Sequence, residues 1–188
     1  MLKNNKLIPL ILLSFFISVN AEIEEIITTG SLLKDLEEDS SPVDVISEEN
    51  YKNLNISNIA EISKYISSSS GSHFQANTLD GVDQGMAAIT LRGLDHASTL
   101  ILINSKRQTF AGTPSNEGEG YIDVNIIPEI ALKQVEILKE GATSLYGSDA
   151  VAGVVNMITY KDFDGLKFQA GHQGTSNYNQ NDSTVGLL

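Results

Sequence analysis

The glycine-rich stretch EGATSLYGSDAVAGVVNMIT, Glu140 to Thr159, is the part of the chain that most resembles a ligand-binding loop. A phosphate-binding loop needs two glycines separated by four residues and then a lysine and a hydroxyl, which together meet the phosphates. Here five residues separate Gly141 from Gly147, no lysine follows, and Asp149 would repel an anion. The dinucleotide fingerprint GxGxxG is also missing. These glycines therefore favour tight backbone packing, which a missing side chain and positive φ permit.

The other residue types that could do chemistry are scattered. His73, His96 and His172 have neither a nearby nucleophile and carboxylate nor the paired spacing of zinc ligands, so we predict surface or loop positions for them. The chain has no cysteine, which excludes thiolate sites and disulfides. The acidic run at residues 35–40 lacks the alternating ligands and the glycine of a calcium loop. We expect no enzyme activity, no metal site and no cofactor.

The N-terminus has the pattern of an export signal. Lys3 and Lys6 precede a largely apolar stretch of thirteen residues, Leu7 to Val19, and the small residue Ala21 suits cleavage. The alternative, a membrane anchor, is disfavoured because a spanning helix needs about 20 apolar residues. The formal net charge of -12 argues against nucleic acid as a partner, since such binding rests on Lys and Arg contacts to phosphate.

The rest of the chain predicts an α+β domain behind an acidic linker. Residues 22–41 are rich in acids and serines and read as a solvated tether, apart from a β-prone patch at Ile26 to Thr29. Residues 42–160 predict a short-stranded mixed sheet with short helices. The predicted strands are PVDVI, MAAITLRGLD, STLILI, the segment around Val135 and Ile137, and GVVNMIT. The predicted helices are SEENYKNL after the cap Ser47, SNIAEISKYI with Ile59, Ile62, Tyr65 and Ile66, one turn after Pro128, and ATSLYG.

Two long polar loops interrupt this domain, at Ser67 to Gly85 and at Ala111 to Gly120. Loops of this length in a compact domain are usually functional or disordered. Both readings stay open, and we predict the ligand-facing one. The residues concerned are His73, Phe74, Gln75, Asn77, Thr113, Ser115 and Asn116.

A hairpin and a possible membrane strand complete the pattern. The turn NSKR has Ser105 at a position where glycine would suit positive φ better, so the turn type stays open. The segment LKFQAGHQG alternates like a first barrel strand with Leu166, Phe168 and Ala170 on one side. A second strand begins only at STVGLL.

Several of these segments together resemble the plug domain of TonB-dependent outer-membrane receptors. They are LRGLD at 91–95, STLILINSKR at 98–107 and the long run from Ile127 to Gly165. In that family the plug fills the lumen of a large β-barrel. The sequence EEIITTG at 24–30 resembles the family's energy-coupling box. The resemblance implies a signal peptide at 1–21, the coupling box and linker at 22–41, a plug at 42–160, and the beginning of a truncated transmembrane β-barrel at 161–188.

The resemblance also implies roles for particular residues. The coupling box would pair by strand addition with a TonB-type periplasmic energy transducer. Arg92, expected in the middle of an apolar strand, and Lys139 would face carboxylates of the protein's own barrel. The coupling-box residues are Glu24, Glu25, Ile26, Ile27, Thr28, Thr29 and Gly30, and the glycines that would shape the sheet are Gly93, Gly141, Gly147 and Gly153.

The function that follows from the resemblance is that of a gate. The chain would be the plug of a receptor in the outer membrane of a Gram-negative bacterium, opened by a pull on the coupling box. It would admit a small-molecule or metal-chelate substrate of the siderophore, cobalamin or glycan class. The alternative is a stand-alone soluble periplasmic module for ligand binding or signalling that is derived from a plug.

Overall fold

The computed structural model describes residues 43–54, 56, 59–69, 87–115, 118–139, 142–174 and 181–188. The predicted signal peptide, coupling box and acidic linker lie outside these ranges. The same holds for several predicted site residues, namely His73, Phe74, Gln75, Asn77, Asn116 and Gly141. Within the described ranges, no helix combines the length and the apolar character needed to cross a membrane.

The described chain contains seven strands and a set of short helices. The strands are β1 (Val43–Ser47), β2 (Thr99–Ile103), β3 (Lys106–Arg107), β4 (Leu132–Leu138), β5 (Gly153–Thr159), β6 (Phe168–Gly174) and β7 (Asn181–Leu187). The α-helices are α1 (Glu48–Asn53) and α2 (Ala142–Tyr146), and the 3-10 helices are Ile59–Tyr65, His96–Ser98, Val124–Ile126, Glu129–Ala131 and Ser148–Ala150. The predicted α+β class is confirmed.

Five strands form one mixed sheet in the order β1-β4-β5-β2-β3, and β6 and β7 form a separate hairpin. Strands β2 and β5 run parallel, and every other neighbouring pair is antiparallel. The strands predicted at PVDVI, STLILI and GVVNMIT and around Val135 and Ile137 are all present. The one-turn helix after Pro128 and the helix ATSLYG are present too.

The main core lies on one face of this sheet. Alternate residues of β4 and β5, such as Val135 and Met157, pack in one cluster with the buried Ile59 and Ile62. The predicted apolar helix face is thus confirmed, although the segment is a 3-10 helix and Tyr65 is 48% exposed. The opposite face buries a second cluster of five residues, Leu100, Leu102, Leu138, Ala150 and Val154.

Helix α1 connects the first strand to this core. Ser47 caps it as predicted, with its Oγ accepting a hydrogen bond from the Asn50 N–H at 3.4 Å. Tyr51 is buried against the main cluster and donates its hydroxyl hydrogen to the carbonyl of Leu132. Burial raises the pKa of Tyr51, so the hydroxyl remains a donor.

The strand predicted at MAAITLRGLD is wrong. Arg92 and Gly93 have φ values of 58° and 67°, which no regular strand adopts. The Leu91 N–H donates to Thr99 Oγ1 at 3.0 Å, and the Arg92 N–H donates to the Ser68 carbonyl at 2.6 Å. The segment is therefore a turn held by other elements.

The structure defines the type of the β2–β3 turn, which contains Ser105. Asn104 and Ser105 have φ values of 50° and 65°, as a type I′ turn requires. The Asn104 side chain donates to Thr159 Oγ1 at 2.8 Å and accepts from the Thr159 N–H at 3.0 Å. The Ser105 N–H donates to Asn156 Oδ1 at 2.9 Å. Side chains of β5 thus stabilise a conformation that glycine would adopt without help.

The same turn adjoins a buried polar cluster in the sheet. Glu136 is 0% exposed and accepts hydrogen bonds from Gln134 Nε2 at 2.8 Å and from Asn156 Nδ2 at 3.5 Å. A buried polar side chain is costly unless it is hydrogen-bonded. Asn156 therefore ties the buried carboxylate of β4 to the turn at Ser105.

Gly153 has the packing role that the glycine-rich stretch predicts. Its φ is 138°, and a Cβ there would lie 2.6 Å from the Leu138 carbonyl oxygen and 2.9 Å from Leu91 Cδ1. Gly147 has a φ of 84°, but a Cβ there would have no atom closer than 3.9 Å. Glycine is therefore favoured at this position by the backbone conformation and not by a lack of space.

Replacing Gly153 by alanine should destabilise the domain by about 2–4 kcal/mol, because the added methyl meets a backbone carbonyl and the residue keeps a φ that alanine disfavours. Gly112→Ala is the matched control, since its Cβ would find no atom within 4 Å. It should change stability by less than about 0.5 kcal/mol. Thermal unfolding followed by circular dichroism measures both, and equal midpoints for the two variants would contradict the close-approach account.

Candidate functional site

The β6–β7 hairpin contacts the five-stranded sheet domain through polar side chains. Lys167, just before β6, places its Nζ 2.6 Å from Glu48 Oε1 and donates to the Ile130 carbonyl at 3.0 Å. Gln169 donates from Nε2 to Glu129 Oε1 at 3.0 Å. We call the set of Glu48, Lys52, Glu129, Tyr160, Lys167 and Gln169 the sheet–hairpin junction.

Glu48 is the centre of the junction. Its Oε1 lies 2.5 Å from Lys52 Nζ as well as 2.6 Å from Lys167 Nζ, and its Oε2 accepts a hydrogen bond from the Tyr160 hydroxyl. Lys167 Nζ also lies 4.9 Å from the centre of the Tyr160 ring, within the range of a cation–π interaction. One carboxylate thereby connects helix α1, the residue that follows β5 and the residue that precedes β6.

The junction shifts the pKa values of its acids in opposite directions. Burial disfavours the ionised form of Glu48, but the hydrogen bonds from Lys167, Lys52 and Tyr160 outweigh it and lower the pKa to about 2. Burial raises the pKa of Glu129, and the Gln169 hydrogen bond opposes that rise. Burial and the hydrogen bond to Glu48 raise the pKa of Tyr160. Glu48 is therefore an anion throughout the physiological pH range.

The hairpin has two unlike faces. Lys167 and Gln169 lie on the face toward the sheet domain, where Gly186 approaches Ile130. The opposite face is exposed and is apolar at the end near Leu166, where Phe168 is paired directly with Leu187. Farther along the same face, the polar His172 is paired with Ser183. The exposed apolar residues are Leu166 at 78%, Val185 at 75%, and Phe168 and Leu187 at 67% each. Strand β7 begins at Asn181, two residues before the predicted start at Ser183.

The two predicted barrel-facing cations lie in different environments. Arg92 is exposed in its turn and makes no ion pair with a carboxylate of the described ranges. Lys139 forms an ion pair with Asp44 of β1 and donates to Ser67 Oγ at 3.4 Å. Lys139 therefore has a partner in its own domain, and a barrel contact of either residue stays a prediction.

The predicted ligand-facing loop is described only in part. Thr113 is exposed, as a ligand contact requires. Ser115 is 6% exposed, its N–H donates to the Glu119 carbonyl at 2.9 Å, and its Oγ accepts from the Glu119 N–H at 3.3 Å. The prediction is wrong for Ser115, because its hydroxyl organises the loop from within.

The two histidines in the described part of the chain differ in their exposure to solvent. His96 is 9% exposed, with its ring centroid 6.5 Å from that of Tyr121, so its predicted surface position is wrong. His172 is exposed, with Nδ1 2.9 Å from Ser183 Oγ. Across the ranges that could be searched, no group of three or more histidines and acids is placed to hold a metal ion.

The sequence reading missed the junction itself. Glu48 and Tyr160 are separated by 112 positions, so no local spacing reveals their contact. One signal was present, because the alternation of β6 puts Lys167 and Gln169 on the face opposite Leu166 and Phe168. When one face of a strand is apolar, two polar residues on the other face indicate that this polar face packs against another part of the protein.

Comparison with known proteins identifies the family. The TonB-dependent receptor plug domain model matches residues 35–154, which is more than half of the chain. The chain therefore belongs to the family of TonB-dependent receptor plug domains, as the resemblance indicated. Receptors of this family are transporters of the Gram-negative outer membrane, which is the location predicted for this chain.

Individual relatives agree with this assignment. An iron-regulated outer membrane virulence protein of Vibrio cholerae serotype O1 is 41% identical over 75 residues, which are 39% of this chain and 12% of that protein. The siderophore receptor PirA of Acinetobacter baumannii superposes with a TM-score of 0.58 at 26% identity, over 87% of this chain and 23% of that one. A mutant of the ferric enterobactin receptor PfeA from Pseudomonas aeruginosa has a TM-score of 0.56 at 23% identity, over 79% and 22%, and shows the shared fold. The chain thus spans a quarter or less of these relatives.

Replacing Glu48 by glutamine should lower stability at pH 7 by about 1 kcal/mol, the upper range for partly exposed ion pairs. A carboxylate with a lowered pKa contributes its stability above about pH 4.5 and loses it as the pH falls toward 2. The difference between wild type and Glu48→Gln should therefore shrink steadily between pH 5 and pH 2.5. Thermal unfolding across this range measures it.

Glu49→Gln is the matched control, because Glu49 is the exposed acid next to Glu48 in the same helical turn. It removes the same charge and should change the unfolding midpoint little at any pH. A loss as large as that of Glu48→Gln, or a Glu48→Gln difference that does not depend on pH, would contradict the electrostatic account of the junction.

Proposed function

We propose that this chain is the plug that gates a TonB-dependent receptor for active uptake of a scarce nutrient. The observation that carries the proposal is the two-faced hairpin, with polar residues against the sheet domain and apolar residues exposed. Strands of outer-membrane barrels alternate in this way, with apolar side chains toward lipid and polar ones toward the lumen. A domain attached to the polar face occupies the position of a plug.

The substrate class we favour is an iron chelate such as a siderophore. The relative that is 41% identical is named as iron-regulated, and the 26% identical structure is a siderophore receptor. These likenesses support a siderophore over cobalamin or a glycan. In this proposal the exposed loop around Thr113 faces the substrate.

The partner that opens the gate is a TonB-type periplasmic energy transducer. The coupling box at 24–30 combines β-prone residues, Ile26 to Thr29, with an acidic and solvated surrounding. Such a segment can add as a strand to an exposed sheet edge, where main-chain hydrogen bonds supply the affinity. A pull on the box then reaches the domain through β1, the first strand after it among the residues that the structure describes.

The alternative of a stand-alone periplasmic module is less well supported. An exposed face with Leu166, Phe168, Val185 and Leu187 would be an aggregation liability in water. The same face suits lipid in a closed barrel.

Ile27→Pro tests the coupling step, because proline removes a backbone donor from the added strand. In a receptor that carries this chain, the variant should bind the transducer's periplasmic domain at least tenfold more weakly and should abolish uptake of an iron–siderophore complex. Titration calorimetry and uptake of labelled iron by iron-starved cells measure the two effects. Leu33→Pro, three residues beyond the box, is the control and should leave both within about twofold of wild type. Undiminished binding by Ile27→Pro would overturn the coupling role.

A further inference from the structure

Among the strands that the structure describes, β1 is attached to the sheet along one side. It is an edge strand whose neighbour is β4, with Val43 opposite Leu138 and Ser47 opposite Gln134. It is also the described strand that a pull from the N-terminus reaches first. A pull at Val43 directed away from the sheet loads the backbone pairs one after another, so the strand can separate stepwise.

The residue that follows β1 is held differently. Glu48 contacts Lys167 of the hairpin and Tyr160 beyond β5, and neither belongs to the β1–β4 ladder. Its side chain is 21% exposed and that of Lys167 is 15% exposed, so both charges are largely shielded from water. Lys52 lies on the same helix and would move with Glu48, but moving this helix would break the contacts of Glu48 with the Lys167 ammonium group and the Tyr160 hydroxyl together. It would also pull the buried Tyr51 from the core.

We propose that the Glu48–Lys167–Tyr160 contact is a mechanical stop, which lets β1 separate from β4 while it holds helix α1 and the following 3-10 helix in place. This inference rests on the proposed function for the source of the pull. An open cleft of about 420 Å³ already lies beside β1, and its lining includes Val45, Lys133 and Tyr160. Departure of β1 widens this cleft at the edge of β4 and removes the partly buried Ile46 from the main core, while the buried Tyr51, Ile59 and Ile62 stay in place.

The stop can be tested with a single introduced cysteine, because the chain has none of its own. Ser63 lies in the 3-10 helix behind α1, is 3% exposed and donates to the Ala60 carbonyl at 2.7 Å. Ser63→Cys introduces a side chain of similar size to serine. A maleimide can label its thiol only when the 3-10 helix at 59–65 separates from the core. Val45→Pro, added to that background, weakens the β1–β4 ladder and mimics the separated strand.

The protein is the 188-residue chain with Ser63→Cys, purified in mild detergent. Its maleimide labelling rate should change by less than twofold when Val45→Pro is added. Adding Glu48→Gln to Val45→Pro should raise the rate at least tenfold, whereas adding Glu49→Gln should not. Fast labelling with Val45→Pro alone, or equal effects of the two glutamine substitutions, would overturn the proposal.

Hydrogen exchange without the proline gives a second test that does not depend on how well Val45→Pro folds. Amides of β1 should exchange at least tenfold faster than those of the 3-10 helix at 59–65, and Glu48→Gln should bring the two rates together. Equal rates in the unaltered chain would overturn the stop. Neither assay contains a transducer, so undiminished transducer binding and uptake by Ile27→Pro, together with an intact labelling pattern, would contradict the proposed function and leave the stop standing.

Discussion

The close approach of two backbones at Gly153 is the constraint on which the sheet depends. Strand β5 begins at this residue, where the backbone lies so near the Leu138 carbonyl that a methyl group does not fit. Because β5 lies between β4 and β2, the position of Gly153 sets both ladders at once, with Thr99 opposite Gly153 and Leu138 opposite Val154. The side chains of three strands then align in rows on the two faces. Gly153 is the residue of the glycine-rich stretch that makes this geometry possible.

Around Gly153 the sheet is held by apolar packing, whereas the more peripheral turn and hairpin are held by polar side-chain contacts. The turn at Asn104 and Ser105 is held by β5 side chains, and the hairpin is held by Glu48, Tyr160 and Lys167. The hairpin offers an apolar surface on its far side, which a receptor barrel would present to lipid. The domain combines an edge strand, a charged junction and an exposed apolar surface of the kind that contacts lipid. This combination suits a domain that is enclosed by a barrel and moved by a pull on its N-terminus.

Much of the fold could be read from the sequence because it depends on local alternation. Alternating apolar residues predict β4 and β5, and Ser47 predicts the start of α1. The strand expected at Arg92 was wrong because its conformation is set by distant groups, including the Thr99 hydroxyl and the Ser68 carbonyl. The type I′ turn at Ser105 was left open for the same reason, since its stabilising partner Asn156 is 51 positions away.

The candidate site was less predictable than the fold, because its contacts join residues that only the folded chain brings together. Neither Glu48 nor Lys167 has a neighbour in sequence that reveals the other, and the burial of Ser115 follows from how its loop closes on Glu119. The coupling role is an inference from the resemblance, and in our proposal the β1 edge strand and the charged junction beside it would transmit the pull.

The central claim is that this domain is a gate that relies on its receptor for stability. Removal of the predicted leader with Lys3 and Lys6 would take the formal charge from -12 to -14, and such self-repulsion would oppose a compact free domain. The most direct test is the thermal unfolding of residues 22–188 alone. The account predicts a broad transition with a midpoint below about 45 °C, under the usual range for mesophilic domains. A sharp, cooperative transition above about 65 °C would contradict it and favour a self-sufficient periplasmic module.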